Sequence, residues 1–267
     1  MDQEELQGKI DQIYKVLTDL KKKHSKKKIS WLMKISDKSF GLVEALVDNF
    51  MLNIEEGEYS TKILMILRQL CEYCPDLIFD QLLSCSKLPE ALASYILKTP
   101  LEDMTPDAFL LITEFFKGGE NLEILENNEL VDKLFETLTI INKTHYFDAV
   151  VTILLTRFEM YCTSKDSSEE MNEETQTFIE KIKTHRSGRM FVETMIHLLN
   201  RRGAEGQKTI KCLSHLIGSE RIYSNDLSLL GDILEDEIDK DATEENRGNL
   251  EHLLELVQQR KIILEQE

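Results

Sequence analysis

The chain has 267 residues, of which 42% are hydrophobic and 30% are charged, and this composition is typical of a folded protein rather than a disordered one. Its net charge of −17 opposes the phosphate field of DNA and RNA, so the composition argues against nucleic acid as a main partner. No apolar run is long enough to span a membrane, the first residues lack the apolar core of a secretory signal, and five cysteines without a paired framework fit a reducing cytoplasm.

Residues 1–30 are predicted to form an N-terminal helix with a basic end. Apolar residues recur at helical spacing across residues 6–20, and the segment carries a net charge of +3 against −20 for the rest of the chain. The basic end contains Lys21, Lys22, Lys23, Lys26, Lys27 and Lys28. Such a cluster is either the solvated end of a helix or a weak, salt-sensitive contact with an anionic surface, such as lipid or an acidic protein.

Residues 31–267 are predicted to form one helical domain. Apolar stripes with the i, i+3, i+4 spacing of amphipathic helices recur along this range, and no β-hairpin signal separates them. Thr105 and Pro106 have the sequence of an N-cap followed by a first helical residue, and a helix is expected to end before Pro75. The polar segment 164–175 is predicted to be a loop that divides the chain into halves. Amphipathic helices joined by short breaks favour a helical solenoid over a catalytic scaffold.

The range 189–257 shows this pattern most clearly, with four apolar stripes separated by short polar breaks. The stripes consist of Met195, Leu198 and Leu199, then Ile210, Leu213, Leu216 and Ile217, then Leu227, Leu230, Ile233, Leu234 and Ile238, and finally Leu250, Leu253, Leu254 and Val257. Each stripe has the spacing of a helix with one buried face. Because helix starts recur at irregular intervals, the repeat is predicted to be degenerate. We therefore expect an all-α fold, an armadillo-like helical-repeat superhelix of roughly ten helices.

Three short motifs in the same range carry a resemblance to a known family. Residues 198–201 have the sequence LLNR, residues 223–226 have the sequence YSND and open a helix, and residues 230–233 give that helix an LGDI core. This combination resembles the armadillo-like C-terminal domain of the WISH/DIP/SPIN90 family. The resemblance implies a protein that binds and activates the Arp2/3 complex, so that linear actin filaments start without a preformed filament. It also implies a cytoplasmic location at the cortical actin cytoskeleton.

Two departures from the family pattern limit what the resemblance implies. The family usually has Arg-Glu after its L-x-D-I-x-x core, where this chain has Asp236 and Glu237. The SH3 domain and proline-rich segment of the animal members have no counterpart in these residues, since the four prolines show no PxxP spacing. Adaptor functions mediated by those parts are therefore not implied. The alternative function is a generic helical-repeat adaptor or scaffold that binds another protein partner.

The candidate partner-binding residues lie in and around the first two motifs. They are Arg189, Asn200, Arg201, Arg202, Tyr223, Asn225 and Asp226. Arginine is common at protein interfaces, and these arginines form a basic concentration in an acidic body. The same residues also suit purely structural roles, because Arg201 and Arg202 are typical of a helix C-terminus and Asn225 and Asp226 are typical of a helix start.

No arrangement in the sequence points to an enzyme, a cofactor or a metal site. Cys71 and Cys74 have the spacing of half a zinc site, but two further ligands are missing and both lie by an apolar helix face, which favours a place in the core. The six histidines are scattered, and none has the spacing of a metal or catalytic motif. Gly118 and Gly119 are predicted to end a helix, because the surrounding sequence lacks a phosphate-loop frame. We therefore expect a binding protein without enzymatic activity or cofactor.

Overall fold

A computed structural model of the chain describes residues 3–22, 41–73, 75–116, 122–140, 146–163, 173–201, 206–218, 224–240 and 244–266. Within these ranges all regular secondary structure is helical, with thirteen α-helices, one short 3-10 helix and no β-strand. The predicted all-α class is confirmed, and the number of helices exceeds the roughly ten predicted. No helix within these ranges has the length and apolar character needed to cross a membrane. The chain divides into two compact units, Met1–Ile124 and Leu125–Glu267.

The described part of the first unit contains six α-helices. They are α1 (Gln3–Lys22), α2 (Leu42–Leu52), α3 (Gly57–Tyr73), α4 (Pro75–Ser84), α5 (Leu88–Lys98) and α6 (Pro106–Phe116). Helix α3 is central to this unit, because it contacts α1, α2, α4 and α6. Its apolar stripe is fully buried at Ile63, Leu67 and Leu70. The stripe that the sequence shows on this helix therefore forms the core of the first unit.

The described part of the second unit contains seven α-helices. They are α7 (Asn128–Thr137), α8 (Phe147–Thr163), α9 (Glu173–Thr184), α10 (Gly188–Asn200), α11 (Gly206–Gly218), α12 (Ser224–Asp239) and α13 (Glu244–Gln266). The 3-10 helix, Leu122–Glu126, lies at the boundary between the two units in the chain. Helix α8 contacts α7, α9, α10 and α11, and α10 contacts α8, α9, α11 and α12. Each of these two helices therefore packs against neighbours two positions away in the chain as well as against adjacent helices.

Several helices begin and end at residues whose local chemistry dictates a break. Helix α3 ends at Tyr73 and α4 begins at Pro75, as predicted, since proline has no N–H with which to continue a helix. Pro89 lies in the first turn of α5, where that missing N–H has no intrahelical partner in any case. At the start of α6 the Thr105 hydroxyl oxygen accepts a hydrogen bond from the Asp107 N–H at 3.5 Å. Such local breaks produce more helices than apolar periodicity alone distinguishes.

The apolar stripes predicted for the second unit form its core, with departures at stripe edges. Leu213 on α11 and Leu230 on α12 are fully buried, whereas Leu254 on α13 is half-buried. In the first unit, Val16 belongs to the apolar pattern that the sequence shows across residues 6–20, but its side chain is 45% exposed. It lies about 100° around the helix from the buried Leu17, at the margin of the stripe.

The polar segment 164–175 does not separate the two units. Residues 164–172 lie outside the described residues, while Glu173 already begins α9 and Thr175 is buried in its first turn. Helices α8 and α9, on either side of this segment, contact each other and belong to one unit. The division lies at Ile124 and Leu125 instead. The helix end predicted at residues 118–119 also lies outside the described residues.

Candidate functional site

The candidate partner-binding residues that the structure describes lie on or directly after α10 and on α12, two helices of the second unit that contact each other. The structure describes Arg189, Asn200, Arg201, Asn225 and Asp226, while Arg202 and Tyr223 lie outside the described residues. The apolar faces of the two helices are buried at Ile196, Leu199 and Leu230. This burial determines which of the remaining positions on α10 and α12 can reach the surface.

Arg189, Glu193 and Asp226 form a charged cluster between α10 and α12. The Arg189 Nε donates a hydrogen bond to Glu193 Oε1 at 2.8 Å, one turn further along α10. Burial is the main effect that raises the pKa of Asp226 above its usual value, and the Glu193 carboxylate raises it further. The charge of Arg189 lowers the same pKa. The Asp226 Oδ2 is buried and has no hydrogen-bond partner among the described residues. The structure thus brings two candidate residues together and adds Glu193, which the sequence did not single out.

Arg201 lies at the opposite end of α10. Its backbone N–H donates a hydrogen bond to the carbonyl oxygen of Leu198 at 3.1 Å, and its Nη1 donates to the carboxylate of Asp148 in the first turn of α8. With a rise of about 1.5 Å per residue, Arg201 lies about 18 Å along the helix from Arg189. The two arginines therefore do not form one basic patch, and each already has a carboxylate partner. The basic concentration seen in the sequence is divided between the two ends of α10.

The remaining candidate residues are polar positions at helix ends. Asn200 is the last residue of α10 and Asn225 is the second residue of α12, and both side chains are exposed. Lys21 and Lys22 are the last residues of α1, and the rest of the lysine cluster, at residues 23–28, lies outside the described residues. The weak contact with an anionic surface therefore stays a prediction.

A Ser–His pair in the turn between α9 and α10 was not singled out from the sequence. His185 Nδ1 lies 2.8 Å from Ser187 Oγ, and the Ser187 hydroxyl donates a hydrogen bond to the carbonyl oxygen of Phe135 at 2.7 Å. Ser187 is buried, and its hydroxyl proton is engaged by the backbone rather than offered to the histidine. Burial is the main effect that lowers the pKa of His185, and the charges of Arg186 and Lys181 lower it further. The pair stabilises the turn and lacks the arrangement of an activated nucleophile. In the sequence, the one signal for this pair is that His185 and Ser187 are two residues apart.

The buried thiols are poor nucleophiles and poor metal ligands. Burial raises the pKa of Cys71 to about 12, and burial raises the pKa of Cys212 well above its usual value. Both thiols are therefore protonated at neutral pH, whereas the thiolate is the reactive form. Cys74 lies outside the described residues. Within the described ranges, no group of three or more His, Cys, Asp or Glu side chains is placed to hold a metal ion.

Comparison with known proteins assigns the chain to no family. The sequence matches no protein-family model and no curated protein. The resemblance to the WISH/DIP/SPIN90 family therefore rests on the motifs at residues 198–201, 223–226 and 230–233.

Proposed function

We propose that the protein binds the Arp2/3 complex and activates it, so that linear actin filaments start at the cortical cytoskeleton without a preformed filament. The observation that carries this proposal is the placement of two motifs of the resemblance. Residues 198–201 end α10 and residues 224–226 begin α12, and these helices contact each other within one compact unit. The two motifs, which are separated by α11 in the sequence, thus lie on contacting helices of one unit, near opposite ends of α10, because Asp226 faces Arg189 and Glu193 at the start of that helix.

The proposal includes an armadillo-like superhelix as the scaffold of the second unit. Its support is the packing of α8 and α10, each of which contacts helices two positions away in the chain as well as the adjacent ones. Stacked helical pairs produce this pattern of contacts, and they present extended surfaces on which a partner binds. A rigid surface of this kind lowers the entropic cost of holding a partner in one orientation.

On this proposal the protein acts by binding alone, without a chemical step or a cofactor. It favours the active arrangement of the Arp2/3 complex only to the extent that it binds that arrangement more tightly than the inactive one. Converting a population that is about 1% active into one that is about 99% active requires roughly a 10⁴-fold difference in affinity, or about 5.5 kcal/mol. An interface of ordinary size can supply this difference through a few well-placed residues.

The two ends of α10 offer different chemistry to such a partner. Arg201 and Asp148 are both partly exposed, and exposed ion pairs contribute only about 0–1 kcal/mol. Arg201 can therefore exchange Asp148 for a carboxylate of the partner at little cost. At the other end, Asp226 has a carboxylate oxygen without a hydrogen-bond partner among the described residues, and Arg189 is exposed beside it.

The decisive experiment is actin assembly with purified Arp2/3 complex from the same or a closely related source. Pyrene-labelled actin should polymerise with a shorter lag as the protein concentration rises, without preformed filaments and without a second activator. Single-filament fluorescence microscopy should show linear filaments without branches. An unchanged lag at saturating protein would refute the activator proposal, and binding without activation would favour the generic helical adaptor.

Point variants locate the binding surface on α10 and α12. Arg201→Gln and Arg189→Gln each remove one charge from one end of α10, and Asp226→Asn removes the charge of the partly buried carboxylate. If either end carries a main contact, its variant should weaken activation by about tenfold or more, while thermal stability changes little. The matched control is Lys98→Gln in the first unit, because Lys98 is also an exposed cation, paired with Glu55 at 2.9 Å.

A further inference from the structure

The second unit contains a cavity of about 800 Å³, lined by a set of residues different from the candidate residues of α10 and α12. It lies between the start of α7, the C-terminal half of α8 and α9. Apolar side chains such as Met160 and Phe178 form part of its walls. The charged residues that line it are Glu126, Arg157, Glu173, Glu174 and Lys181.

Arg157 is a buried cation in the lining of this cavity. Its side chain is only 4% exposed, and its guanidinium carbon lies 4.3 Å from the centre of the Tyr161 ring. The Nη2 group donates a hydrogen bond to the carbonyl oxygen of Glu126 at 3.3 Å. Neither Nε nor Nη1 has a hydrogen-bond partner among the described residues. Three of the five guanidinium N–H donors, one on Nε and two on Nη1, are therefore unused.

A structural role does not account for this arrangement by itself. A long hydrogen bond to a backbone carbonyl, the contact with the Tyr161 ring and a polar interaction with the Tyr161 hydroxyl hold Arg157 in place, and a neutral donor could make the same backbone bond. A buried charge with unused donors is costly unless something pairs with it. The guanidinium group binds carboxylates through two parallel hydrogen bonds, and stacking on an aromatic ring orients its plane for that contact. The unpaired donors of Arg157 therefore suit an anionic group that is not part of the described residues.

The other charged residues of the cavity restrict what carries this anionic group. Glu126, Glu173 and Glu174 are exposed, so they lie at the rim, and Lys181 is already paired with Asp132 of α7. Three rim carboxylates repel a free dianion such as phosphate more strongly than they repel a single carboxylate. The same carboxylates attract cationic groups on either side of that carboxylate.

We propose that the cavity binds a peptide segment of a protein partner that presents one Asp or Glu side chain flanked by Lys or Arg. The carboxylate of the peptide pairs with Arg157, and its basic side chains face Glu126, Glu173 and Glu174. The apolar parts of the segment pack against Met160 and Phe178. This site is independent of the Arp2/3 proposal, because it uses neither α10 nor α12.

The test uses the full chain and a rhodamine-labelled peptide that has one central glutamate with lysines on both sides. Fluorescence anisotropy should show saturable binding that weakens with added salt. A matched peptide with glutamine at the centre should bind at least about tenfold more weakly, because it cannot pair with the guanidinium. A phosphoserine peptide should also bind more weakly than the glutamate peptide, since the rim carboxylates oppose its second negative charge.

Two protein variants connect the binding to the cavity. Arg157→Met replaces the guanidinium group with an apolar side chain and should lower the affinity for the glutamate peptide to that of the glutamine peptide. The control is Arg247→Gln, at an exposed arginine of the same unit, which should leave the affinity for the glutamate peptide unchanged. The proposal is overturned if no peptide binds wild-type protein, if the glutamate and glutamine peptides bind equally, or if the phosphoserine peptide binds most tightly. Equal binding by Arg157→Met and wild type would also overturn it and leave Arg157 as a structural anchor. If Arg157→Met fails to fold, the peptide comparison on wild-type protein still decides the question. None of these results depends on the actin assay.

Discussion

Among the described glycines, Gly188 is the position at which an added methyl group meets the closest backbone atom. It is the buried first residue of α10, and its N–H donates a hydrogen bond to the carbonyl oxygen of His185 at 2.9 Å. A Cβ atom at this position would lie 1.7 Å from the carbonyl oxygen of Ile182 near the end of α9. Because that oxygen belongs to the backbone, no side-chain rotation can relieve the overlap. Gly188→Ala should therefore displace α9 and α10 relative to each other.

The expected magnitude follows from the cost of overpacking a rigid core. Extra methyl groups in a packed interior cost about 1–3 kcal/mol, and a clash with backbone atoms places Gly188→Ala at the upper end of that range. We expect the free energy of unfolding of the second unit to fall by about 3 kcal/mol. For a domain of this size each kcal/mol lowers the melting temperature by about 2–4 °C, so the expected decrease is roughly 6–12 °C.

The measurement is thermal unfolding by calorimetry, compared with a control that makes the same substitution at an open position. Gly248 lies within α13 and is exposed, and a Cβ atom there would meet no described atom within 4 Å. Gly248→Ala should therefore raise stability by about 0.5–1 kcal/mol, because alanine favours a helix interior over glycine. A melting temperature for Gly188→Ala equal to that of wild type, or a decrease of the same size in both variants, would refute the steric reasoning.

Three further predictions concern the core, the pH dependence of stability and the choice of partner. Leu213→Ala and Leu230→Ala remove fully buried side chains and should each cost about 2–5 kcal/mol in urea unfolding, so an unchanged midpoint would contradict the core assignment. Burial is the main effect that lowers the pKa of His215 below its usual 6.5, and the charge of Lys211 adds to it. Because the unfolded chain then binds more protons than the folded one, the free energy of unfolding should decline as the pH falls through about 6.5. His215→Gln should flatten that decline, and equal slopes for variant and wild type would show that another group causes it. The chain should not bind duplex DNA with sub-micromolar affinity at physiological salt, because its charge of −17 opposes the phosphates, and a salt-sensitive gel shift would contradict this.

The helical class and most of the buried faces follow from local patterns in the sequence. Leu213 and Leu230 were assigned to the core from their place in stripes of helical spacing, and both are fully buried. Pro75 and Thr105 marked helix boundaries that the structure has at the same places. These predictions succeed because helical periodicity, capping and the missing N–H of proline act over a few residues of one segment. The resemblance at residues 198–201 is local in the same sense, since it rests on short motifs and does not specify which side chains meet.

The packing of helices against one another determines which side chains are in contact and which charges are buried. The contact of α10 with α12 brings Asp226 close enough to Arg189 for the two charges to interact. The packing around α8 buries Arg157 beside a cavity. The approach of Gly188 to the Ile182 carbonyl oxygen likewise depends on how α9 and α10 cross. Each of these relations joins residues on different helices, so its energy depends on packing geometry that no single segment specifies. Periodicity identified the buried face of each helix, but only the assembled unit determined which residue of a neighbouring helix that face contacts.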